Sequence, residues 1–137
     1  MIVVDVTIIA YLLIAGEKTA LAQAVYRKDP QWMVPHLWQH EFLNVLATYV
    51  RHGAGDLADG EKIWEQALTL LGGREQSINM HLALELATRH QVSGYDAQYA
   101  VLAFTLGVPC VSEDQRLQKT FPQFVLSMER FLSLPQD

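Results

Sequence analysis

Residues 2–13 read Ile2-Val3-Val4-Asp5-Val6-Thr7-Ile8-Ile9-Ala10-Tyr11-Leu12-Leu13. The first three form a continuous apolar run with two valines, the pattern of a short strand buried on both faces. Asp5 stands at its carboxyl end. The stretch from Ile8 is hydrophobic all round and reads as a helix. A strand with two apolar faces needs helices on each, which points to a parallel sheet within an α/β domain.

The rest of the chain repeats this alternation. A helix is expected over Glu17–Lys28, ended by Asp29-Pro30. Trp32-Met33-Val34 is a second strand, and Pro35 suits the first position of a long helix running to about His52. Gly53-Ala54-Gly55 ends that helix. Asp56 caps the next helix, which Gly72-Gly73 stops. Arg74-Glu75-Gln76-Ser77 reads as a polar connection. A helix from Ser77 or Asn79 carries Leu82, Leu84, Leu86 and Ala87 to His90-Gln91. Ser93 starts another that stops at Gly107. Val108–Ser112 is a third strand, Phe124–Leu126 a fourth, and Met128–Leu134 a final short helix. Strands alternating with helices predict a small, mostly parallel sheet flanked by helices.

The 137 residues carry a net charge of −5 and half of them are apolar, which suits one globular domain over 1–137. The acidic balance argues against a nonspecific polyanion binder. The longest apolar stretch is too short to span a bilayer, and the start lacks the basic region of a signal peptide. A lone cysteine, Cys110, excludes a disulfide framework and suits the cytoplasm. Its apolar setting reads as core packing.

Four carboxylates stand out. Asp5 and Asp114 follow strands, where ligands bind in open parallel sheets, though each also suits a helix cap. Glu41 falls on the apolar stripe of Trp38, Phe42, Val45, Leu46 and Tyr49, a local violation of the pattern. Asp96, three after Ser93, suits a capping box. It also shares a helical face with Tyr99, Ala100 and Ala103, so it is expected to be largely removed from water. Four acids in one cleft repel one another unless a cation holds them. Oxygen ligands alone suit Mg²⁺ or Mn²⁺, and a metal-bound water is a usable nucleophile for a phosphodiester.

Taken together, Val4-Asp5-Val6-Thr7, His40-Glu41-Phe42-Leu43-Asn44-Val45-Leu46, Tyr95-Asp96-Ala97-Gln98-Tyr99-Ala100 and Val111-Ser112-Glu113-Asp114-Gln115-Arg116-Leu117 resemble the PIN domains. The resemblance is greatest to the VapC-type toxins of toxin–antitoxin pairs and covers essentially the whole chain. It implies a PIN-like three-layer fold and a metal-dependent endoribonuclease. Asp5 and Asp96 would be the principal ligands of Mg²⁺ or Mn²⁺, with Glu41 and Asp114 completing the site directly or through water. Thr7 would support the Asp5 carboxylate. Ser112 stands where the family usually has Thr and keeps the hydroxyl. Glu113 occupies a position often small or uncharged, and Arg116 could contact a phosphate. The resemblance further implies a homodimer and a cognate antitoxin laid over the active site.

Other readings have less behind them. His36-Leu37-Trp38-Gln39-His40-Glu41 lacks the Glu between two histidines that a zinc protease needs. No phosphate loop, nucleophile elbow or dinucleotide fingerprint occurs. A catalytically weak, PIN-like dimer acting as a regulatory module with a DNA-binding antitoxin is the alternative to the ribonuclease. A receiver-like Mg²⁺ domain lacks its acidic pair at the first strand and its late lysine.

Overall fold

The computed structural model describes residues 1–136. They form five strands and eight helices. The strands β1 (Ile2–Val4), β2 (Trp32–Pro35), β3 (Glu75–Gln76), β4 (Cys110–Val111) and β5 (Val125–Leu126) make one sheet in the order β3-β2-β1-β4-β5. Every pairing in it is parallel.

The alternation of side chains along these strands sorts the core into two layers. Ile2, Val4, Trp32, Val34, Val111 and Leu126 point to one face of the sheet. There they meet α1 (Val6–Leu13), α2 (Thr19–Lys28), α3 (Trp38–Arg51), α4 (Leu57–Leu71) and α8 (Met128–Ser133). Val3, Met33, Cys110 and Val125 point to the other, against α5 (Met80–His90), α6 (Gly94–Leu106) and α7 (Gln115–Thr120). The result is a three-layer α/β/α fold, as the apolar run at residues 2–4 implies. Cys110 is a fully buried free thiol within it.

Caps set most helix starts. The side chains of Asp5, Asp56, Asn79, Ser93, Asp114 and Ser127 each accept a hydrogen bond from a first-turn backbone amide. Gly107 ends α6 with a φ of 68°, a left-handed conformation that glycine adopts without penalty.

Three local expectations differ from the structure. Pro35 does not open the long helix; it ends β2, and α3 begins only at Trp38. A proline forces the preceding residue, Val34, towards extended backbone, and its missing N–H is tolerated at a strand end. Glu75-Gln76 is not a simple connection but a two-residue edge strand, paired with Val34 and Pro35. Leu84, expected on a packed helix, is 66% exposed, and Ala83 is the buried residue of α5.

Candidate active site

Because all strands are parallel, their carboxyl ends share one edge of the sheet. β1 is the central strand, with β2 on one side and β4 on the other, so the connection order reverses beside it. Such a switch point opens a crevice outside the strand ends. Here that crevice is a cleft of about 350 Å³ lined by Asp5, Thr7, Tyr11, Glu41, Asp96, Tyr99, Glu113 and Asp114, with Val6 at its wall.

Each carboxylate arrives by a different route. Asp5 follows β1 and caps α1, its Oδ1 accepting from the Ile8 amide at 3.3 Å. Its other oxygen accepts from the Ser112 hydroxyl. Ser112 is fully buried, and its Oγ also accepts from the Asp114 amide at 3.1 Å. One hydroxyl therefore fixes the ends of β1 and β4 to each other. Asp114 caps α7 through the Leu117 amide at 3.0 Å and is exposed. Capping and cleft lining coexist in both aspartates, since a carboxylate has more acceptor sites than a cap uses.

Glu41 and Asp96 come from opposite layers. Glu41 lies in the first turn of α3 and Asp96 in the first turn of α6. Ser93 accepts from the Asp96 amide at 2.9 Å, so the capping contact exists while the Asp96 carboxylate faces the cleft. Both acids are half-buried; Asp96 is thus less withdrawn from water than its small neighbours suggest. The Tyr99 hydroxyl, one turn beyond Asp96, donates to Glu41 Oε1 at 2.6 Å. Tyr99 is the residue that reading the chain left among the apolar positions. Its one sequence signal is its place on the Asp96 face.

The electrostatics centre on Asp96. Desolvation raises the Asp5 carboxyl to about 6, with Ser112 and Ile8 opposing and Asp96 adding to the rise. Glu41 is raised by desolvation against the Tyr99 hydrogen bond, and again by Asp96. Asp96 is raised by desolvation and then by Asp114, while Ser93 and Arg116 pull it down. Four carboxylates around one cleft, three of them raised, are an unfavourable arrangement that a cation would relieve. The donor set is all oxygen and suits a hard divalent ion, which keeps several of its own waters. Among the described residues, no group of three or more His, Cys, Asp or Glu side chains forms a ready-made cage.

The supporting residues divide. Ser112 does hold Asp5. The Thr7 side chain is exposed, and only its backbone amide acts on the Asp5 carboxyl; among the described residues no bond joins its hydroxyl to Asp5. This differs from the supporting role the resemblance implies. Glu113 lines the cleft, yet its oxygens are engaged by Lys18 Nζ at 3.2 Å and the Met128 amide at 3.1 Å. Arg116 is exposed, donates to the Gln91 carbonyl at 2.5 Å, and lies close enough to lower Asp96. Gln91 sits in left-handed backbone with φ 57°, so Arg116 braces the turn between α5 and α6. No helix among the described residues is long and apolar enough to cross a membrane.

Comparison with known proteins agrees with this fold. The chain is 30% identical over 130 residues to Ribonuclease VapC3 of Pyrobaculum aerophilum, spanning 90% of this chain and 97% of that protein. The crystal structure of PAE2754 from the same organism superposes with a TM-score of 0.74 at 22% identity, covering 96% of this chain and 92% of that one. The PIN domain family matches residues 2–121. The chain therefore belongs to the PIN domain family, within its VapC-type branch.

Proposed function

We propose that this protein is a metal-dependent endoribonuclease, the toxin of a toxin–antitoxin pair. The observation that carries the reading is the meeting of Asp5, Glu41, Asp96 and Asp114 around one cleft at the switch point of the sheet. Asp5 and Asp96 would hold Mg²⁺ or Mn²⁺, with Glu41 and Asp114 completing the site through direct or water-mediated contacts. The bound ion supplies a nucleophilic water at neutral pH and offsets phosphoryl charge. Ser112 orients Asp5, and Tyr99 orients Glu41. Arg116 would contact a phosphate entering beside Asp96, a role its pull on the Asp96 carboxyl supports.

The antitoxin and the homodimer enter on the same footing. An apolar groove of about 510 Å³ between α3 and α4, lined by Leu43, Ala47, Val50, Leu57 and Trp64, supports the docking of a partner segment. α3 gives Glu41 to the cleft and Leu43 to this groove, so an apolar helix with a basic end fits both. That groove also favours the alternative, a weakly catalytic regulatory module acting with a DNA-binding antitoxin. The exposed Met80 and Leu84, one turn apart on α5, favour a second copy of the chain as partner there.

The test is cleavage of pooled cellular RNA by antitoxin-free protein with Mg²⁺ or Mn²⁺, beside Asp5→Ala, Asp96→Ala and a chelator control. Discrete cuts by the wild type alone, lost on chelation, are expected. Folded, metal-binding protein that cuts nothing would favour the regulatory module. Equal cutting by all three proteins would overturn the site.

A further inference from the structure

A second group of polar side chains sits on the same sheet edge, outside the acidic cleft. Glu75, in the edge strand β3, accepts from Trp38 Nε1 at 2.6 Å, from the Gln39 side-chain amide, and pairs through Oε2 with His36 Nδ1 at 2.8 Å. These donors hold its carboxyl below the usual range, against the desolvation that opposes them. An ionised carboxylate only accepts, so Nδ1 carries a proton and Nε2 is turned outward. There it faces the Ser77 hydroxyl at 3.5 Å. The His36 side chain is 61% exposed and Ser77 is exposed.

Trp38 is fully buried and needs its indole N–H satisfied, which explains Glu75. It does not explain His36, whose ring covers no core and whose tautomer is nevertheless set. The Glu75–His36–Ser77 chain lies outside the lining of the acidic cleft. What it offers is an acceptor, Nε2, beside a hydroxyl donor. That pair complements a ligand group that both donates and accepts.

Its position says which. β2 lies beside β1, with Val3 opposite Met33; carried forward, this register sets Asp5 opposite Pro35. His36 follows in the turn after β2, and its ring reaches across to Glu75 of β3, so the polar chain and the acidic cleft stand at the same edge of the sheet on either side of β2. A nucleic-acid strand with one phosphate in the cleft, running along the sheet edge across β2, would bring the sugar of a neighbouring nucleotide to this chain. Hydrolysis by water leaves the ribose 2′-hydroxyl unused, so preference for RNA over DNA has to come from a contact with that group.

We infer that His36, oriented by Glu75 and paired with Ser77, reads the ribose 2′-hydroxyl of a nucleotide flanking the cut and so selects RNA. This rests on the nuclease reading above. In the bound state the 2′-hydroxyl donates to His36 Nε2 and accepts from Ser77 Oγ. His36 is a positioning and specificity residue and takes no part in the displacement itself.

The test couples protein and substrate changes. A short synthetic RNA spanning the cut mapped in pooled RNA is prepared in versions carrying a single 2′-deoxy nucleotide at each position around the cut. Kcat/KM is measured for wild type, His36→Ala, His36→Gln and Ser77→Ala, each checked for a wild-type melting temperature. One 2′-deoxy position should cost the wild type about tenfold and His36→Ala nearly nothing, the loss expected for one hydrogen bond. Ser77→Ala should show a partial loss at that same position, and His36→Gln, whose amide can also pair with a hydroxyl, a partial rescue. Equal 2′-deoxy penalties in wild type and His36→Ala at every position would overturn the inference while leaving the nuclease intact. A general loss in His36→Ala with unchanged 2′-deoxy penalties would assign His36 to a phosphate and overturn it likewise. Wild type that cuts no RNA would remove both readings.

Discussion

Tyr99 and Glu41, 58 residues apart and on opposite layers of the fold, meet over the sheet edge, the phenol donating to Glu41 Oε1 at 2.6 Å. Desolvation, and then the Glu41 carboxylate, raise the Tyr99 hydroxyl far above its ordinary value, so the phenol remains a donor throughout the physiological range. The bond holds the Glu41 carboxyl down against burial.

Tyr99→Phe keeps the ring in place and removes that donor. Glu41 then titrates at higher pH, so the acid limb of the pH–rate profile moves upward. Urea unfolding at neutral pH should show a loss of about 1.5–3 kcal/mol, the range for a hydrogen bond to a charged group. An unchanged acid limb would separate Glu41 from the reaction.

Asp5 predicts how stability depends on pH without metal. Its folded value of about 6 lies above the ordinary 3.8, so the folded form holds the proton more tightly. The stability this group contributes is complete below about pH 4 and is lost as pH rises through about 6. Two units correspond to about 3 kcal/mol. Asp5→Asn, which keeps a good cap, should be the more stable protein in chelator at pH 7 and about equal to wild type at pH 4. Mg²⁺ or Mn²⁺ should stabilise wild type above pH 6 and leave Asp5→Asn unmoved, read by thermal melts.

Ser112→Ala removes one hydroxyl from two bonds, leaving Asp5 and the Asp114 amide each short of a partner. The expected result is a fall in metal affinity of about 10–100-fold, the usual effect of deleting a group that orients a ligand. Titration calorimetry with Mn²⁺ measures it. Ser112→Thr should retain most of the affinity.

Glu113 separates a cleft-lining acid from a ligand. Its oxygens are held by Lys18 and the start of α8. Glu113→Gln should therefore keep Mn²⁺ affinity within about twofold while Asp96→Asn loses most of it, a contrast set by direct against outer contacts. A comparable loss in both would bring Glu113 into the ligand set.

The parts of this protein legible in its residues are those that one local pattern determines. Ile2-Val3-Val4 reads as a doubly buried strand because both faces are apolar, and Glu41 is visible because it interrupts an apolar stripe. The acids Asp5, Glu41, Asp96 and Asp114 are indeed brought to one cleft. β3 was not legible, since two polar residues on a sheet edge carry no periodicity and are defined only by their pairing with β2. Pro35 satisfies two local rules at once, and only the ladder to Gln76 chooses the strand. Glu75 reads as a solvated charge until the fold brings Trp38, Gln39 and His36 to it. Tyr99 is the same case, an apolar-looking position whose hydroxyl gains its meaning from a residue on another layer.

The place of β4 between β1 and β5 has a consequence for synthesis. Until residues 110–111 leave the ribosome, one edge of the central strand has no neighbour, and the chain holds neither Ser112 nor Asp114. A nascent polypeptide can carry Asp5, Glu41 and Asp96 well before it can assemble them. The cleft is therefore complete only once the fourth strand has joined the sheet beside the first.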